Sequence, residues 1–279
     1  MAITLKNDVL VTSFKVPADS TTMPVITSEE DLIITTNNDT DGNKIVSIYV
    51  GIVLPTLISF KSCSDVIEIY EINKDIINNM DTHSELFYEC NALERINTTG
   101  WTVENSTNLS SMFYNCVKLE TIDVSGFNTI NVTDFSSMFN NCKKLKSITG
   151  IENWNTASLI NASNMFSYTF ELETVDVSNF NMTKCESIGG MFSSSGLKRL
   201  DLSKWKFEFT GEFRIERLFN NCYDLEEVGD LSGWGIKQMK YVNGIFTNCY
   251  SLKNLNISNW DLSSWDQHFS LNMSFSRNG

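Results

Sequence analysis

Two histidines, a column of aspartates and seven cysteines are the residues through which this 279-residue chain could do chemistry. An acid/base centre needs ionisable groups that converge. His83 and His268 both fall outside the regularly repeating segments, and both read as polar surface or cap residues. Asp123, Asp176 and Asp201 fall in register with one another, but Thr149 takes the position between the first two and keeps their carboxylates apart. Oxygen ligands of this kind suit a weak calcium site; a solvated polar face is the plainer reading. Zinc asks for a tight C-x-x-C or Cys/His cluster, and none is present. Cys63, Cys90, Cys116, Cys142, Cys222 and Cys249 each follow a phenylalanine by three residues. Such a column is expected to hold small buried thiols, because stacked parallel side chains rarely supply the Cβ directions of a disulfide. Cys185 lies off the column, as a packed substitute or a free thiol. No catalytic residue, metal or cofactor is expected, and the chain reads as non-enzymatic.

The elements that would position these residues are repeats. Phe87, Phe113, Phe139, Phe166, Phe192, Phe219 and Phe246 are spaced 26, 26, 27, 26, 27 and 27 residues apart, and Phe60 extends the series backwards by 27. That is the period of a repeat protein. An apolar residue precedes each of the seven. The L-x-x-I-x-V spacing of Leu119, Ile122 and Val124 recurs, for example in Leu197, Leu200 and Leu202, as a leucine-rich-repeat strand does. An aromatic closes each segment: Trp101, Phe127, Trp154, Phe180, Trp205, Trp234 and Trp260. The expected fold is therefore α/β, a leucine-rich-repeat solenoid of about eight coils with a small N-terminal β unit. Its strands would pair in parallel at about 4.8 Å, and the SSMFNNC segment would return as a short helical turn.

Residues 1–54 alternate apolar and polar side chains as half-buried strands do, with Asp41-Gly42 placed for a tight hairpin. They read as a β unit that covers the first coil or attaches the rod to a larger assembly. Residues 55–262 form the repeat region, and residues 263–279 a C-terminal cap and tail, with an edge strand expected from Phe269. The coil at 205–217 is the least regular, since Phe207, Phe209 and Phe213 replace the usual Asn-rich turn. Hydrophobic residues make up 42% and charged residues 20% of the chain, which suits a folded protein. The net charge of −13 disfavours a nucleic-acid partner. No run reaches the ~18 apolar residues of a membrane span.

The positions projecting from the expected sheet are Arg95, Asn97, Thr121, Asp123, Ser147, Thr149, Thr174, Asp176, Arg199, Asp201, Glu227, Gly229, Asn254 and Asn256. They make a polar, mildly acidic strip and are the candidate binding face. Tyr114, Tyr168, Tyr223 and Tyr250 cluster near the Cys column. They are read as filling grooves or as adding contact area at low entropy cost.

The segment LETIDVSGFNTINVTDFSSMFNNCKKL, Leu119 to Leu145, resembles the BspA-like leucine-rich repeats, also described as a Mycoplasma-type lipoprotein repeat. Strand, aromatic, N-V-T turn, Ser-Met-Phe and Cys occur at that family's spacing from about Phe60 to Trp260. The resemblance implies a surface protein that contacts host proteins or other cells, and such repeats also occur in phage-encoded proteins. No basic segment followed by an apolar stretch marks the first residues as a secretory signal, and a virion protein released by lysis needs none. The expectation is an exposed structural or accessory component of a phage virion, cytoplasmic before assembly or release, with a protein or glycan partner and the N-terminal unit as a docking point. The alternatives are a bacterial surface adhesin and an enzyme using the coil at 205–217.

Overall fold

A computed structural model of the chain describes residues 9–28, 33–50, 57–208, 212–234, 239–241 and 243–260. Strands β1 (Val9–Val16), β2 (Val25–Thr27), β3 (Ile33–Asn38), β4 (Lys44–Val50), β5 (Leu57–Ser59) and β6 (Glu68–Ile72) come first, followed by helix α1 (Lys74–Asn79) and strand β7 (Arg95–Ile96). Alternation fixes which face of β4 is buried, with Val46, Ile48 and Val50 turned inward. Strand β1, paired on both sides and shifted in register along its length, buries Val11, Thr12, Ser13, Phe14 and Val16. The β3–β4 hairpin closes around Asp39, whose Oδ1 accepts from the amides of Asp41 and Asn43, with Gly42 at φ 82°. Lys15 pairs with Asp39 at 2.6 Å. That contact draws the Asp39 carboxyl down to about 2.

These strands do not stand apart from the repeats. The sheet order is β3-β4-β1-β6-β7; β1 runs antiparallel to both β4 and β6, and β6 runs parallel to β7 in the next unit. Phe14 meets Phe60 at 5.4 Å with the rings at 86°. The aromatic file that begins at Phe60 is therefore closed off at this end by a ring set edge-on.

From Phe60 onward each unit is a rung of turns. Leu109, Ser111, Phe113 and Asn115 donate their amides to Asp134, Ser136, Met138 and Asn140 of the next rung, while Met112, Tyr114 and Cys116 donate back to Leu109, Ser111 and Phe113. Alternate amides thus close a turn or join two rungs, and the backbone is satisfied without a helix. From the Phe87 rung on, the residues two before and two after the phenylalanine take positive φ to allow this, as in Ser111 (55°) with Asn115 (61°) and Ser137 (56°) with Asn141 (62°).

The rungs bring like side chains into files. Phe87, Phe113, Phe139, Phe166 and Phe192 lie 5.3, 5.7, 5.9 and 5.7 Å apart, each pair within 10° of parallel. All five are fully buried, each contributing roughly 1.5–3 kcal/mol by transfer from water. A second file runs from Trp101 through Phe127 and Trp154 to Phe180 at 6.3–6.4 Å. The indole Nε1 groups of Trp205, Trp234 and Trp260 donate to Val177, Leu202 and Leu231 one rung back, so these rings are buried without an unpaired donor.

The expectation of an α/β leucine-rich-repeat solenoid of about eight coils is corrected. Among the described residues there is one six-residue α-helix and two three-residue 3-10 turns, at Ile151–Asn153 and Ser232–Trp234. The expected helical return path consists of the left-handed turns just described. Nor is there one continuous parallel sheet. Beside the mixed five-stranded sheet stand three two-stranded pieces: β2 with β5, β8 (Thr121–Asp123) with β9 (Ser147–Thr149), and β10 (Phe213–Arg214) with β11 (Met239–Tyr241). Asp or Asn at the end of the L-x-x-I-x-V segment turns the chain out of the strand after two or three residues, and elsewhere only isolated bridges such as Arg199 with Glu227 remain. The edge strand expected from Phe269 lies outside the described residues.

Candidate binding surface

The strip read from the sequence is on the outside, and its side chains are largely occupied by the turns that carry them. Arg95, Asn97, Thr121, Asp123, Thr149, Thr174, Asp176, Arg199, Asp201, Glu227, Asn254 and Asn256 are all exposed. The side-chain oxygens of Asn97, Asp123, Asp176, Asp201 and Asn256 each accept the amide two residues on, at 2.9–3.2 Å. This is the turn habit of Asx residues. Ser125 and Ser203 add hydroxyl bonds and hold the Asp123 and Asp201 carboxyls below the usual range. Register in the β8–β9 pair sets Asp123 beside Thr149, so the strip brings no two of its aspartates together there.

The positive members are tied down as well. Arg95 grips Glu68 with two nitrogens, at 2.9 and 3.1 Å. Arg199 and Lys253 converge on Glu226. Pairs such as Lys146 with Glu120 and Lys198 with Glu173 cross from rung to rung at 2.8 Å. They are exposed and contribute little to stability; they set the charge pattern of the face. Near its N-terminal end a depression of about 350 Å³ is lined in part by Glu71, Lys74, Asp75 and Asn97.

Of the other chemical candidates, His83 is placed differently from the surface or cap position expected, and the thiols lie buried as expected. His83 is fully buried. It occupies the position four before Phe87, which Leu109, Phe135, Ala162, Ile188 and Ile215 fill in later rungs, and that register was available in the sequence. Its Nε2 lies 3.0 Å from the Ile77 carbonyl, and burial lowers it to about 4. His268 lies outside the described residues. All seven cysteines are free and buried. Cys90, Cys116, Cys142, Cys222 and Cys249 donate to the phenylalanine carbonyl one rung back, at 2.9–3.2 Å, and Cys185 donates to Ser187 at 3.4 Å. Burial pushes the thiols up, to about 11 for Cys222 and about 12 for Cys185. Among the described residues no three of His, Cys, Asp and Glu are grouped to hold a metal. In the irregular coil Phe207 and Phe213 turn inward, 4.6 Å apart.

The aromatic residues differ in exposure. Tyr114 is half-buried and stacks on Tyr88 at 4.8 Å. Tyr168, Tyr223 and Tyr250 are 46, 52 and 44% exposed, and Phe170, which sequence reading passed over, is 52% exposed. Its signal was positional: Phe170, Tyr223 and Tyr250 each stand four residues after a file phenylalanine.

Files of aromatic and thiol side chains inside, with a polar, turn-capped face and a few exposed rings outside, define a repeat protein of stacked turns. The chain belongs to the family described as "Mycoplasma protein of unknown function, DUF285", matched over residues 59–172, 107–223 and 206–278. The Mycoplasma-type character read from the Phe60–Trp260 repeats is thus established. No curated protein and no solved structure matches the chain. No helix among the described residues is long and apolar enough to cross a membrane.

Proposed function

We propose that this protein is non-catalytic and works by presenting fixed side chains to a protein or glycan partner, as an exposed accessory component of a phage particle. The observation that carries the reading is the exposure of Tyr168, Phe170, Tyr223 and Tyr250 on rungs whose cores are closed. Rings that cost little entropy to fix are effective contact residues. The likeness of the repeats to the BspA-like group, whose members contact host proteins and cells, points the same way. The aspartates of the polar strip serve as turn acceptors, which favours display over acid/base work. At the other end, β3 lies at the border of the five-stranded sheet, a position suited to docking on a larger assembly. Before assembly or release the protein would be cytoplasmic.

Immunogold labelling of purified particles tests the setting. Label on intact particles is the expected result; detection only as a free cytosolic monomer removes it. Label confined to the surface of the producing cell would instead favour a bacterial adhesin.

A further inference from the structure

Independently of what the surface binds, we propose that residues 73–83, helix α1 with the turn that follows it, form an acid-released strap latched by the His83 ring. Helix α1 uses its amides on its own turns, Ile76 and Ile77 donating to the Asn73 carbonyl and Met80 to that of Ile77. A helix of this length does not hold its shape unsupported. Where the later rungs share alternate backbone amides, α1 is joined to the next rung chiefly through Asn78. Its side chain donates to the Gly100 carbonyl at 3.1 Å and accepts the Thr102 amide at 2.7 Å, and its carbonyl accepts from the Asn105 side chain at 2.7 Å. Beyond the helix the Asp81 carbonyl accepts the Thr107 amide, and the His83 amide donates to the Asn108 carbonyl.

The ring ties the turn back onto the helix, with Nε2 lying 3.0 Å from the Ile77 carbonyl. A carbonyl only accepts, so Nε2 carries the proton of the neutral ring and Nδ1 is left as an acceptor. Nδ1 is buried with no hydrogen-bond partner among the described residues. A second proton would give it an N–H with nothing to receive it and would place a charge in a fully buried site, which is costly without a counter-charge. The charged groups on the surrounding elements supply none. Glu71 on β6, Lys74 and Asp75 on α1, Asp81 on the turn and Glu104 on the next rung are exposed, strand β5 against α1 carries no charge, and Glu85 pairs with Lys61. Burial and the Ile77 carbonyl are what act on the ring. The proton is therefore accommodated only when the ring reaches water, and the strap, joined to the stack mainly by side chains, lifts before the stack opens. Its lifting bares Ile76, Ile77 and Met80, which are buried in the closed state. The closed strap is fully stable above about pH 6.5 and weakens as the pH falls towards 4, while Lys15 holds the Asp39 carboxyl of the β3–β4 hairpin down to about 2.

Hydrogen exchange of the full chain, resolved by residue and corrected for the intrinsic rate at each pH, tests the strap. The Ile77 and Met80 amides are expected to be less protected than those of Phe139 and Phe166 at both pH 7 and pH 5. Between those pH values they should lose protection roughly twentyfold, the ratio given by a ring that titrates at about 4 closed and about 6.5 open. His83→Leu, which carries the residue of the next rung, should hold the loss within about threefold. An NMR titration needs no change at the latch: in His268→Gln, where His83 is the one histidine left, the ring should titrate well below its ordinary value. A ring that titrates at about 6.5, or strap amides that keep their protection at pH 5, would overturn the proposal. So would strap amides as protected as that of Phe139, since the segment then opens only with the whole stack. An equal loss in His83→Leu would also overturn it, by assigning the response to another group.

Discussion

At the residue scale, the most consequential side chain is one that looked peripheral. His83 sits neutral in an apolar column, held down to about 4 by burial, while its ordinary value is about 6.5. Because the folded value is the lower one, the unfolded chain takes up the proton first. The stability that depends on a neutral His83 is whole above about pH 6.5 and is lost as pH falls towards 4, by about 3 kcal/mol in full. Replacing it with the leucine that the next rung carries, His83→Leu, should flatten urea midpoints between pH 7 and pH 4.5; an unchanged slope would assign the pH response elsewhere. The thiols make a second prediction. With Cys222 near 11 and Cys185 near 12, and all seven cysteines buried, a thiol reagent at pH 8 should label almost nothing until urea is added. Rapid labelling of the folded chain would contradict the packing of that column.

At the scale of the element, the left-handed residues distinguish the turns from the helix first expected. Ser137 has φ 56°. A β-branched residue there is expected to cost about 1–2 kcal/mol, so Ser137→Val should lower the urea midpoint while Ser137→Gly should not. Equal tolerance of both would argue for an ordinary helical turn. The sequence made the columns legible: the 26–27 residue period places phenylalanines, tryptophans and thiols correctly because burial imposes the same residue type at each recurrence. It did not make the backbone legible. Ser-Met-Phe-x-Asn is compatible with a helical turn by local propensity, and only the amides shared between rungs, such as Phe113 to Met138, select positive φ at its first and last residues. In the same way the L-x-x-I-x-V segments read as strands, yet Asp123 and Asp201 bend the chain away through their own side chains. Those aspartates were correctly expected at the surface; their use as turn acceptors depends on geometry that spacing does not carry.

At the scale of the whole molecule, stability and display have the same origin. Among the described residues successive rungs share amides and stacked rings, so contacts between neighbours, repeated along the stack, stabilise the repeat region. Phe139 is buried between Phe113 and Phe166, and Phe139→Ala should destabilise by about 3–5 kcal/mol, a loss read from urea melts. The edge-on contact of Phe14 on Phe60 shows how the N-terminal strands end the file. The same stacking that aligns the core rings carries exposed ones with it, as in Tyr223 and Tyr250 at 5.8 Å.

Amide hydrogen exchange followed residue by residue tests this arrangement most directly, because isolated turns do not protect their amides and stacked rungs do. Protection of the Phe113, Phe139 and Phe166 amides well above that of the exposed Asp41 turn amide is the result expected. Exchange of those three at the rate of open turns would mean that the rungs are not joined, and the account would fail with them.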